Sequence, residues 1–270
     1  MIGIRPRRVA AILLRYAYLL RGSFARVIPL FAWVAIDVVL WGFLTRYLDS
    51  VSRARIDFVT LLLGAALLWD FFVRVMQGVT MTFFEDVWTR NLLNLFSTPL
   101  TIAEYVTGLV LSSVGTSAIG LAVMVGLALA VFGLDIAGHL GFLTAAVLVL
   151  FLFGIAVGIA GCAIVLRLGP SAEWFIWPLP AVLSPFAGVF YPLAVLPVWM
   201  RAFSFVLPPA HVFEVARAVL AGGQPDWARL ALAAGLALAD VVLAGAIFAA
   251  VHRHAVRTGL LARYSAESVT

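Results

Sequence analysis

Apolar runs of about twenty residues alternate along this chain with short polar or basic intervals. The spacing predicts six membrane passes at 27–48, 58–79, 105–132, 140–166, 174–190 and 230–251. Each is long enough to cross a hydrocarbon core of ~30 Å, which needs ~20 residues. The fold class predicted is an all-α integral membrane protein, organised as a single transmembrane domain over 1–270 with no internal repeat and no linker.

Three intervals depart from the pattern. Residues 1–26 form an N-terminal interfacial helix in which Arg8 and Arg15 share a face and Tyr16, Tyr18 and several Leu supply apolar contact. Arg stems of this kind snorkel to headgroups, although a plain basic flank that only sets topology fits equally. Residues 83–100 read as polar and helix-prone; Pro99 ends the interval, and Thr101 with Glu104 forms a capping box for the next helix. This interval suits either docking on a soluble partner or an ordinary interfacial loop. From 174 to 217 the chain is too oily for a loop and too broken for one helix, with Pro178, Pro180, Pro185, Pro192, Pro197, Pro208 and Pro209 among aromatic residues. Proline removes a backbone donor. In lipid such backbone is tolerated only where protein or a water-filled cavity surrounds it. A pathway for some cargo is the expectation, with the aromatic rings serving as pathway lining, as sugar-stacking surfaces or as interfacial anchors.

Composition agrees. The chain is 64% hydrophobic and 11% charged, with a mean hydropathy of +1.11, against ~45–50% apolar and ~25% charged in soluble domains. All 18 basic residues are Arg. Without Lys there is no GxxxxGK[ST] phosphate loop, no Schiff base and no Ser–Lys mechanism. Cys162 is the only cysteine and reads as a packing residue. His139, His211, His252 and His254 lack a nucleophile or metal partner in sequence, and neither GxSxG nor HExxH occurs, so an enzyme is not expected. The basic start is interrupted by Arg15 and Arg21 and does not read as a cleavable signal. With both termini in the cytosol, eleven arginines fall on the cytosolic side, including those of the tail 252–270. Six fall outside, Arg46, Arg53, Arg55, Arg201, Arg217 and Arg229, a bias that sets this orientation.

Four charges lie at membrane depth: Asp37, Asp70, Arg74 and Asp240. Each costs at least ~2.5 kcal/mol in lipid, so they should face protein or water. Asp70 and Arg74 are spaced for an ion pair, as are Glu214 and Arg217, whose expected role is structural. Asp37 and Asp240 have no local partner; they serve either as inward structural polarity or as the ion-binding groups of a secondary transporter. Gly108, Ser112, Thr116 and Gly120 make one small-residue stripe and Gly154 with Gly158 another, read as close packing within one subunit.

Two segments together resemble the permease subunit of type-2 ABC exporters. One runs from Glu85, Asp86, Val87, Trp88, Thr89 and Arg90 to Ser97-Thr-Pro-Leu100; it is similar to that family's cytosolic coupling helix. The other is Gly188-Val-Phe-Tyr-Pro-Leu-Ala-Val-Leu-Pro-Val-Trp199, continuing to Pro208-Pro-Ala-His-Val-Phe-Glu-Val-Ala-Arg217. It is similar to the family's stretch before the last pass. The resemblance implies that Glu85, Asp86, Trp88 and Arg90 couple to a separate ABC ATPase, present in two copies. It implies that 191–217 forms re-entrant helices, an outer gate carrying Phe190, Tyr191, Pro192, Leu196, Pro197, Trp199 and Pro208. It further implies a second permease, as a homodimer or with a related chain, in a bacterial inner membrane. ATP and Mg belong to the partner and no cofactor to this chain. The lipid bilayer is the other partner and nucleic acid is not one. The implied cargo is an amphipathic drug, a lipid, or a lipid-linked glycan or polysaccharide.

Overall fold

A computed structural model describes residues 4–51, 59–134 and 137–260. Arg53, Arg55 and Arg263, used above to judge orientation, lie outside these, as do residue 58 of the second pass and 261–270 of the tail. The order is α1 (Pro6–Arg21), α2 (Phe24–Val51), α3 (Gly64–Trp88, preceded by a π-helical turn Val59–Leu63), α4 (Leu92–Ser97), α5 (Ile102–Phe132), α6 (Leu140–Leu168), α7 (Glu173–Ile176), α8 (Leu179–Ala187), α9 (Val198–Ser204), α10 (Pro208–Leu220) and α11 (Trp227–Thr258). No strand occurs among the described residues.

Among the described residues, five helices are long and apolar enough to cross a membrane, and six if α9 and α10 count as one span, although that pair is bent by 99°. The chain is thus a multi-pass membrane protein. The core is built around α6, which packs on α3 and α11, while α5 lies against α3 and α2. Glycine makes the tightest of these approaches possible. A Cβ on Gly154 or Gly158 would stand 2.8 Å from the Cβ of Val75 or Val79. Those two glycines therefore seat α3 within one chain. On α5 the stripe makes room for side chains: Gly108 for Ile12 of α1 and Gly120 for Arg74 of α3.

Two boundaries differ from those the hydropathy predicts. The pass expected at 174–190 is two short helices, α7 and α8, because Pro178 and Pro180 remove donors where they would join. The last helix continues to Thr258 instead of stopping near 251, since His252, Arg253 and His254 are compatible with helix.

Candidate functional site

At the end of the bundle that carries α1 and α4, a cavity of about 640 Å³ opens between α1, α2, α3 and the α7–α8 junction. Asp37 of α2 and Asp70, Arg74 and Gln77 of α3 supply its polar wall; Trp33 and Trp177 supply rings. Arg74 Nε donates to Asp70 Oδ2 at 2.8 Å, one turn away on the same helix. Asp37 is within electrostatic reach of both. The sequence left Asp37 without a partner because Asp70 and Arg74 belong to the neighbouring helix. Asp240, on α11, does not line this cavity.

The route narrows deeper in. A second cavity of about 220 Å³ shares Asp37, Asp70 and Val73 with the first and ends at Trp41 and Phe190. Those two rings stack, with centroids 4.5 Å apart and planes 15° apart. Beyond Phe190 lies a third, strongly apolar cavity of about 340 Å³ between α3, α5, α6 and α10, which Phe190, Phe213 and Arg217 also line. Phe190 therefore separates the middle cavity from the far one. Trp41 carried no signal in the sequence, since an aromatic residue in an apolar helix is ordinarily packing.

Phe190 is held by a polar staple. Gly188 ends α8 with φ 60°, a left-handed conformation that suits glycine. Arg217 Nη1 donates to the Gly188 carbonyl at 2.6 Å and Arg217 Nη2 to Glu214 Oε1 at 2.5 Å. The same Glu214 oxygen accepts the backbone N–H of Leu193 at 2.9 Å. Glu214 and Arg217 thus satisfy the backbone of the turn that follows Phe190, at a point where prolines prevent it from satisfying itself. Tyr191 donates to the Pro185 carbonyl, and Pro192 precedes a single 3-10 turn, Leu193–Val195. Leu196 is buried; Pro197 precedes α9 and Pro208 begins α10. Trp199 is 68% exposed, edge-on to Phe186. Arg201 caps the carbonyls of Ala194 and Leu196. His211 Nε2 meets the Phe205 carbonyl at 2.9 Å while Nδ1 accepts from Arg229 Nε at 3.4 Å, which together require the neutral Nε2–H tautomer.

At the α1/α4 end the expected helix 83–100 is divided. Residues 83–88 are the last turns of α3, and a separate α4 follows. Asn91 N–H bonds to Asp86 O and Arg90 N–H to Val87 O, with Arg90 at φ 54°. This is the Schellman stop, with arginine in the place glycine usually takes. Asp86 is 1% exposed and accepts from Arg15 and, at 2.8 Å, from the Tyr105 hydroxyl. A soluble partner cannot touch it, so its expected place among partner contacts is corrected to an internal strut between α1, α3 and α5. Burial lowers the pKa of Arg15, offset in part by the fields of Tyr105 and Glu85. Glu85 lines the large cavity. Trp88 donates to Glu173 Oε2 at 2.8 Å, and Arg90 is exposed. The Thr101–Glu104 capping box forms, and Glu104 also takes the Arg5 N–H at 2.9 Å and pairs with Arg8 at 3.2 Å. The sequence showed the box but not these added partners, which come from 99 and 96 residues away.

No curated protein matches the chain. A family model described as ABC-2 type transporter matches residues 12–221, which span α1 from Ile12, the three cavities, the stacked ring pair and the stapled turn. The chain belongs to the ABC-2 type transporter family and is a membrane permease of that family.

Proposed function

We propose that this permease is the transmembrane half of an ATP-driven exporter in a bacterial inner membrane, with both chain termini and the α1/α4 end in the cytosol. The observation that carries the reading is the charged cavity that narrows to the Trp41–Phe190 stack. A wide chamber at one end and a ring pair before the other suit cargo loaded from one side and released past a gate. The bent α9–α10 pair and its proline-rich approach form the outer side of that gate. The cargo is amphipathic: a drug, a lipid, or a lipid-linked glycan.

ATP and Mg bind in a separate ATPase, two copies of which serve two permeases paired as a homodimer. The exposed rings of α2, Phe31, Phe43 and Tyr47, support a covering second copy. The ATPase meets the turn at Arg90 and the exposed side of α4, where Leu93 and Asn94 stand. Arg90 in the left-handed region holds about 1–2 kcal/mol of backbone strain, and such strain is maintained where the fold gains from a fixed side-chain direction. ATP binding then shifts the population of cavity conformations through α3, whose last turns carry Glu85 toward the cavity and Asp86 toward α1.

The test is co-purification with the ATPase and assay of stimulated hydrolysis. Arg90→Gly relieves the backbone and removes the charge; it is expected to lose stimulation while the complex unfolds at an equal or higher temperature. Full stimulation by an Arg90→Gly, Leu93→Ala double variant would remove the coupling surface proposed. A second reading, an ion-coupled carrier using Asp37 and Asp240, rests on the Asp37 carboxylate in the cavity. It requires uphill transport with no ATPase present, abolished by Asp37→Asn; the exporter requires none.

A further inference from the structure

We infer that the 640 Å³ cavity takes amphipathic organic cations, with Asp37 as the counter-charge and the Trp33 and Trp177 indoles as walls. The inference deepens the exporter reading and rests on it for the direction of movement, though binding itself needs no ATPase.

The charge balance of the wall is the starting point. Arg74 is committed through Nε to Asp70 on its own helix. Asp37, across the cavity on α2, makes no ion pair within 4 Å among the described residues. Asp37 and Asp70 therefore share one guanidinium at membrane depth, where an uncompensated carboxylate is unfavourable, and Glu85 lines the chamber as a third carboxylate. A cation entering the chamber restores the balance.

The rings select which cation. Indole faces are negative and attract positive charge, most strongly where water is excluded. A small metal ion would keep its water and gain nothing from them. A cation with apolar substituents gains from the rings and the carboxylate together. The chamber's volume falls within the ~300–1,000 Å³ of drug-sized sites. An anionic amphiphile such as a lipid phosphate meets three carboxylates, Asp37, Asp70 and Glu85, and the negative ring faces, against the guanidinium of Arg74, which is already paired with Asp70. The site therefore separates the cargo classes left open above: it favours the cationic amphiphile.

The test uses the full-length permease alone in lipid nanodiscs, with binding to empty nanodiscs subtracted. Tetraphenylphosphonium and tetraphenylborate, alike in size and opposite in charge, are titrated in parallel. Saturable phosphonium binding is expected, at least about tenfold tighter than borate, about 1.4 kcal/mol of discrimination. Asp37→Asn is expected to erase most of that preference and Asp37→Glu to restore it. Equal affinity for the two ions on the unaltered protein overturns the inference, whether or not any variant folds. So does an Asp37→Asn protein that stays monodisperse and keeps the full preference. Selective cation binding without ATPase stimulation by any partner leaves the site standing and sinks the exporter. Stimulation without charge preference does the reverse.

Discussion

The Phe190 ring lies flat on the Trp41 ring at 4.5 Å, and the contact joins α2 to the turn that Glu214 and Arg217 hold. Aromatic stacking of this kind contributes about 0.5–1.5 kcal/mol beyond area burial. If the pair closes the route, Phe190→Ala should raise passive leak of a cavity-sized dye from proteoliposomes about 2–10-fold in the absence of ATP. Trp41→Ala should do the same, and the double variant should leak no more than the worse single. A leak unchanged in both singles places the gate elsewhere.

Asp86 is shared by Arg15 and Tyr105, so Asp86→Ala strands a guanidinium and a buried hydroxyl together. Removing one partner of a buried pair costs about 3–5 kcal/mol. Arg15 retains 30% side-chain exposure, which lowers the expectation to about 2–3 kcal/mol. The readout is the thermal unfolding midpoint of the permease in nanodiscs. Asp86→Asn, which keeps an acceptor for Tyr105, should lose less. A variant with wild-type stability but no ATPase stimulation would give Asp86 a coupling role, exerted through α1 and α5 and not by contact with the partner.

Gly154→Ala and Gly158→Ala should each destabilise the bundle by about 1–3 kcal/mol through overpacking. The new methyl meets Val75 or Val79 at 2.8 Å and a backbone carbonyl of α3 at 3.1 Å, and backbone cannot step aside. Gly115→Ala and Gly126→Ala have nothing within 4 Å at the same atom and should be neutral or stabilising by about 0.5–1 kcal/mol. Unfolding temperatures of the four variants in one detergent decide this; equal shifts in all would mean that the α3–α6 seam is looser than these contacts imply.

The membrane fold was legible because burial in lipid requires long apolar runs, and these survive in the sequence as plain hydropathy. The Asp70–Arg74 and Glu214–Arg217 pairs and the capping box were legible too, since each lies within one helical turn. The end of α3 was not. From Phe83 to Trp88 no proline or glycine marks the membrane surface, so the helix runs on and stops only where Arg90 turns left-handed. The fifth pass was legible as oily and as broken by prolines, but the place of the break, between Ile176 and Leu179, was not. The strut at Asp86, the cavity wall and the stacked rings were hidden for one reason: each joins residues from different helices. Asp37 gained its context only when α2 was laid beside α3.

The ties of α1 bear on how the chain is made. Arg8 and Arg15 leave the ribosome before their partners: Asp86 is 71 residues downstream of Arg15 and Glu104 is 96 downstream of Arg8. Until α3 and the start of α5 have been translated, Arg8 and Arg15 lack the carboxylates with which they pair. Helix α1 is therefore made before α3 and α5 yet settles after them, and its docking marks the moment when the inserted bundle becomes complete at that end.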